Sequence, residues 1–166
     1  MPSDETFGDV LRANHEYAED FRLAGIEARA ARGLAIVTCI DSRIEPLDML
    51  GLQPGDAKII RNAGGRVTAD VLADLVLASH LLGVTRTMVI AHTDCRMSPM
   101  QEDDLHDALR AAGAPDTREL SFRAAPDQEA ALRADVELLR GTPHLARVQV
   151  GGFRYDVSTG RVTQIC

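Results

Sequence analysis

Three short apolar runs constrain this chain more than any other feature: Leu34-Ala-Ile-Val-Thr-Cys39, Ala57 to Arg61, and Thr87 to His92. The first is continuous rather than alternating, the pattern of a strand buried on both faces, as strands of parallel sheets are, and the other two resemble it and are similar in length. Between the second and third lies Thr68 to Leu82, with Thr68 as N-cap, Leu72, Leu75, Val76 and Leu82 on one face, and Gly83 as C-cap. Strand, helix, strand is a βαβ unit, and its right-handed crossover makes the sheet mostly parallel. The expected fold class is therefore α/β, a mostly parallel central sheet flanked by helices.

The remaining elements attach to that centre. Phe7, Val10, Leu11, Ala18 and Phe21 recur at helical spacing, which predicts an amphipathic N-terminal helix ending near Gly25 or Gly33. A short helix from Pro46 to Leu50 connects the first two strands. Ser98-Pro99-Met100-Gln101 has capping-box spacing with proline at the first helical position and predicts a helix to about Ala112. Another helix is expected from Asp127 to Arg140. Val148 to Phe153, the turn Asp156 to Gly160, and Arg161 to Ile165 predict a C-terminal strand hairpin. The Ala-rich stretches Ala28 to Ala31 and Ala111 to Pro115 read as helix ends.

A chain of 166 residues suits one ordinary core, so residues 1–166 are expected to form a single domain. Eighteen Lys and Arg against 25 Asp and Glu leave a net charge of −7 with no basic cluster, which makes nucleic acid and anionic membranes poor partners. The longest uncharged stretch, Leu75 to Thr85, falls short of the roughly 20 apolar residues a bilayer span needs. The acidic start, Met-Pro-Ser-Asp-Glu-Thr, lacks the basic-then-apolar run of a secretory signal, and a cytoplasmic protein is expected. Three cysteines, Cys39, Cys95 and Cys166, argue against a disulfide framework and leave metal or nucleophile roles open.

Two clusters carry the candidate chemistry. Cys39-Ile-Asp41-Ser-Arg43 leaves the first strand and His92-Thr-Asp-Cys95 leaves the third, both at carboxyl ends of parallel strands, where open α/β sheets bind ligands. Two thiolates and one imidazole are good zinc ligands, and a fourth position left to water or a carboxylate is the catalytic pattern, with Asp41 the obvious carboxylate. Buried packing cysteines and a redox pair are the competing readings. His15, His80, His106 and His144 lack ligands at metal spacing and read as structural or surface residues. Cys166 reads as a free thiol, and Met97 and Met100 as core.

Cys39-x-Asp41-x-Arg43, Arg61-Asn-Ala-Gly-Gly65 and His92-x-x-Cys95, in this order and spacing, resemble the motif set of the β-class carbonic anhydrases. The similarity runs from the N-terminal helix to the hairpin around Gly152 to Gly160, with the acidic stretch 101–140 least recognisable. The resemblance implies zinc on Cys39, His92 and Cys95, an Asp41/Arg43 dyad beside it, and an α/β sheet assembled as a homodimer or a dimer of dimers. Asp41 would either ligate zinc or pair with Arg43 and free the fourth position for water. The implied activity is reversible hydration of carbon dioxide to bicarbonate by zinc-bound hydroxide, favoured on the alkaline side because two thiolates offset the metal's charge. Asp41 would accept the hydroxide proton, Arg43 would orient Asp41, and Ala63, Gly64 and Gly65 would wall the substrate pocket. Hydrolysis of carbonyl sulfide or carbon disulfide on the same site, or a non-catalytic zinc module, are the alternatives. Arg96 stands where family members usually carry glycine, and it can attract bicarbonate, pair with Asp41 or Asp94, crowd the pocket, or face solvent.

Overall fold

A computed structural model describes residues 6–166. Residues 1–5, most of the stretch read as lacking a secretory signal, lie outside that range. Five strands form one sheet: β1 (Leu34–Cys39), β2 (Ala57–Asn62), β3 (Arg86–His92), β4 (Gln149–Tyr155) and β5 (Val162–Gln164). Their order is β2-β1-β3-β4-β5; the first four are parallel, and β5 pairs antiparallel with β4. Every residue of β1 is buried, as its unbroken apolar run requires of a central strand. The chain steps from β1 to β2 on one side and then returns to place β3 on the other. The carboxyl ends of β1 and β3 thus flank the point where strand order reverses, the usual ligand crevice of such sheets.

The helices are α1 (Gly8–Glu19), α2 (Pro46–Met49), α3 (Ala69–Leu81), α4 (Glu102–Ala111) and α5 (Gln128–Arg140). Thr68 caps α3 by accepting from the Val71 amide at 3.3 Å, and Asp127 caps α5 by accepting from Ala130 at 2.9 Å, each satisfying an otherwise orphaned helical N–H. Val71, Leu75 and Ala78 of α3 and Leu132, Val136 and Leu139 of α5 pack with Ala35, Val37, Val89 and Ala91 into one core cluster. A second cluster joins Leu34, Ile36 and Ile90 to Ile44, Leu52, Cys95 and Tyr155, and its helical side chains come from α2 alone. Burial of these side chains, at about 1.5–3 kcal/mol each, is what holds the layers together.

Three sequence expectations need correction. The N-terminal helix stops at Glu19, well before Gly25 or Gly33, and buries none of its residues. The segment after it bonds elsewhere: the amides of Ala30, Ala31 and Arg32 donate to the carbonyls of Leu82, Gly55 and Asp56, so Ala28 to Ala31 is a loop braced across the sheet's amino-terminal edge. The helix expected from Ser98 begins at Glu102, because the reciprocal capping box forms between Gln101 and Asp104 and the carboxylates of Glu102, Asp103 and Asp104 crowd its positive end. Glu102 also reaches across to accept from the amides of Phe122 and Ala124, which hold its carboxyl below the usual range. No helix among the described residues is long and apolar enough to cross a membrane.

Candidate metal centre

The end of β1 supplies Cys39 and the end of β3 supplies His92, and the strands are hydrogen-bonded neighbours. Parallel pairing through Thr38 and Ile90 brings the two ends level, with the Thr38 hydroxyl donating to the Ile90 carbonyl at 3.2 Å. Beyond His92 the chain turns through Asp94, at φ 54°, and returns Cys95 to the same place. Ligand atoms of Cys39, His92 and Cys95 all lie within 4.8 Å of one another, and the three side chains are buried.

The donor chemistry of this trio fits a zinc ion. The Nδ1 of His92 donates to the Thr93 carbonyl at 2.9 Å, which fixes the tautomer and leaves Nε2 as a bare lone pair. That Nε2 is the single buried side-chain nitrogen or oxygen without a hydrogen-bond partner among the described residues. Such a group costs roughly 1–3 kcal/mol unless something coordinates it. The two sulfurs bias each other: the neighbouring Cys95 thiol lowers the pKa of Cys39 to about 4 against the opposing effect of burial, assisted by the backbone amides of Asp41 and Gly64. The Cys39 thiolate in turn pushes the Cys95 thiol well above its ordinary value, and burial adds to the push. A divalent soft cation removes that conflict, since it permits both sulfurs to be anionic.

Asp41 stands outside this trio and is held by Arg43 instead. Arg43 donates from its backbone amide and Nε to Asp41 Oδ1 at 2.9 and 3.0 Å, and from Nη2 to Asp41 Oδ2 at 2.7 Å. These bonds keep the Asp41 carboxyl well below the usual carboxylate range. Arg96 is exposed and makes no hydrogen bond or ion pair among the described residues.

The loop after β2 closes on the trio from below. Gly64, at φ 80°, points its amide at the Cys39 sulfur at 3.3 Å. Gly65, at φ 65°, sits so close to β1 and β3 that a Cβ would meet Cys39 N and Thr38 C at 3.0 Å and Ile90 O at 3.1 Å, all backbone atoms that cannot yield. Paired glycines are required here by contact as well as by conformation. The loop is tied off by Asn62, which accepts from the Arg66 amide and donates to the Arg66 carbonyl, each at 2.8 Å. Arg66 is in turn gripped by Asp135 of α5.

Several supporting residues escaped sequence reasoning. Gln128 donates to the His92 carbonyl at 3.0 Å, and Arg61 holds the carbonyls of Cys39 and Asp41 at 2.9 and 2.7 Å. Arg61 lay inside a recognised motif, whereas Gln128 and Asp135 carried no local signal. A cleft of about 730 Å³ lined by Ile26, Arg29, Pro54, Gly55 and Thr85 opens at the opposite, amino-terminal edge of the sheet, the wrong edge for ligand chemistry in a parallel fold.

The fold and the trio define a class: an α/β protein whose strand ends gather two thiolates and one imidazole for zinc. Comparison with known proteins narrows it. The profile of the carbonic anhydrase family matches residues 34–162. The chain is 32% identical over 159 residues to beta-carbonic anhydrase 1 of Mycobacterium tuberculosis, covering 95% of this chain and 96% of that one. It is 33% identical to a carbon disulfide hydrolase of Acidianus, covering 79% of this chain and 76% of the relative. Among solved structures, the carbonic anhydrase of Streptococcus mutans superposes with a TM-score of 0.88 at 36% identity, covering 96% and 97% of the two chains. The chain belongs to the β-carbonic anhydrase family.

Proposed function

We propose that this chain is a zinc enzyme that interconverts carbon dioxide and bicarbonate. The observation that carries the reading is the buried Cys39, His92, Cys95 trio with an unpartnered imidazole nitrogen inside it. When bound there, zinc supplies a Lewis acid that makes water a usable nucleophile near neutral pH. The chain's own groups do the rest. Asp41, kept ionised and oriented by Arg43, accepts a hydrogen bond from the attacking water and aims its lone pair at the carbon of CO2. In this reading Asp41 acts from the Arg43 pair, and metal ligation by Asp41 requires Arg43 to release it. Ala63, Gly64 and Gly65, lying beside Cys39, wall the space where a linear triatomic substrate enters.

Stopped-flow CO2 hydration between about pH 6.5 and 9, on protein carrying about one zinc per chain, is expected to rise with pH. Inactivity toward CO2 together with release of hydrogen sulfide from carbonyl sulfide or carbon disulfide would move the assignment to sulfur heterocumulenes; the Acidianus relative is named for hydrolysis of carbon disulfide. Inactivity toward all three substrates would leave a non-catalytic zinc module.

The chain is read as a single domain that works as a homodimer or a dimer of dimers. The second core cluster takes helical cover from α2 alone, Met88 and Phe153 on it are half-buried, and Phe7, Val10, Leu11, Tyr17 and Phe21 of the N-terminal region are exposed. Apolar side chains left open in this way support an interface between copies of the chain. Light scattering is expected to give at least twice the chain mass at micromolar concentration; a monomer at all concentrations would refute it. We read the location as cytoplasmic, a compartment that keeps free thiols such as Cys39 and Cys95 reduced.

A further inference from the structure

Arg43 has a second carboxylate partner that the dyad does not explain. Its Nη1 donates to Asp94 Oδ2 at 2.7 Å and its Nη2 to the Asp94 carbonyl at 3.0 Å, while Nε and Nη2 face Asp41. All three guanidinium nitrogens are therefore committed, to one carboxylate on each side. Asp94 sits between two residues of the trio, on the left-handed turn that returns Cys95 to the site.

We propose that Asp94 is a positioning residue: its carboxylate anchors the far side of the Arg43 fork to the loop bearing His92 and Cys95, and so fixes how Arg43 presents Asp41 to the substrate. The proposal rests on the CO2-hydration reading above. Stability cannot be the reason for the contact, because the Asp94 side chain is 79% exposed and Arg43 is 45% exposed, and an ion pair so open to water contributes little. The turn alone does not call for a carboxylate either, since glycine adopts a left-handed φ at least as readily as aspartate. What aspartate adds is a charged acceptor. With it, the guanidinium is held from two sides and cannot swing about the Asp41 contact; without it, Arg43 keeps Asp41 and one Nη2 bond to the Asp94 backbone carbonyl, but Nη1 is released and the fork is free to tilt about that single bond.

The Asp94→Gly variant separates these roles, because it keeps the turn and removes only the acceptor. In zinc-loaded enzyme we expect kcat for CO2 hydration to fall about tenfold with KM within twofold, and zinc content and melting temperature unchanged. Asp94→Asn, which retains an oxygen acceptor, recovers at least about a third of the wild-type kcat. A readout independent of turnover is the set of Arg43 Nη–H resonances in 15N spectra of the full chain, assigned by their loss in Arg43→Lys: rotation about the Cζ–Nη1 bond is slow in the wild type, where Nη1 is held by Asp94 Oδ2, and faster in Asp94→Gly. A glycine variant with wild-type kcat and unaltered Nη–H resonances would overturn the proposal, as would loss of zinc, which would make Asp94 a residue of the metal loop. If the wild type itself fails to hydrate CO2, the functional reading falls while the Nη–H comparison still decides whether Asp94 anchors Arg43.

Discussion

Replacing Arg43 with alanine is expected to lower CO2 hydration by about a hundredfold while zinc stays bound. The size follows from what Arg43 does in the structure. Three of its hydrogen bonds converge on one carboxylate, and they fix both Asp41 oxygens against rotation. Alanine retains only the backbone amide bond, so Asp41 keeps its place but loses its orientation, and a reacting group displaced by about an ångström can cost two orders of magnitude. Retention of zinc is equally specific, since none of the Cys39, His92 and Cys95 contacts runs through the Arg43 side chain. Lysine is expected to rescue poorly, because an ammonium cannot reproduce the planar fork that meets Asp41 on one side and Asp94 on the other. Steady-state rates with metal analysis on the same samples check this. Full activity in the alanine variant would remove Arg43 from the mechanism, and loss of zinc would show that it supports the metal instead.

How far the site could be read from the chain itself depends on the range of the interactions involved. β1 was plain because every one of its positions is buried and its apolar run has no gaps. Cys39, His92 and Cys95 were plain because parallel strands deliver their carboxyl ends to a common edge, so a topology inferred from three runs already brings residues far apart in sequence together. Expectations failed where several signals competed locally. Ser98-Pro99 looked like a helix start, yet Gln101 followed by three carboxylates outbids it, since those charges complement the helix dipole and Asp104 closes the box. The end of α1 could not be placed from its glycines, because the segment after it is organised by bonds to Leu82, Gly55 and Asp56. Asp135 left no trace at all: its periodicity is that of an ordinary α5 residue, and its partner lies 69 positions earlier.

That partner makes Asp135 the position where substitution should cost the most stability. Its Oδ2 accepts from Arg66 Nε at 2.6 Å and from the Val67 amide at 3.1 Å, and its Oδ1 accepts from Arg66 Nη2 at 3.1 Å. The side chains are 8% and 19% exposed, so water can replace little of what is lost. Removing one partner of such a pair leaves an uncompensated buried charge, a loss of roughly 3–5 kcal/mol. For Asp135→Ala this corresponds to a melting temperature lower by about 10 °C in a chain of this size. The damage should reach the metal centre as well. Arg66 clasps Asn62 through both backbone groups, and that clasp closes the loop whose Gly64 amide supports the Cys39 sulfur. Zinc affinity is therefore expected to fall in Asp135→Ala, and a Arg66→Met, Asp135→Leu pair to recover part of the stability without recovering the affinity, because apolar packing can replace the ion pair while the Val67 amide stays unpaired. Calorimetry and competitive zinc titration separate the two effects. A melting temperature within about 2 °C of wild type for Asp135→Ala would mean that Arg66 finds other partners, and that the loop under the metal centre is held by Asn62 alone.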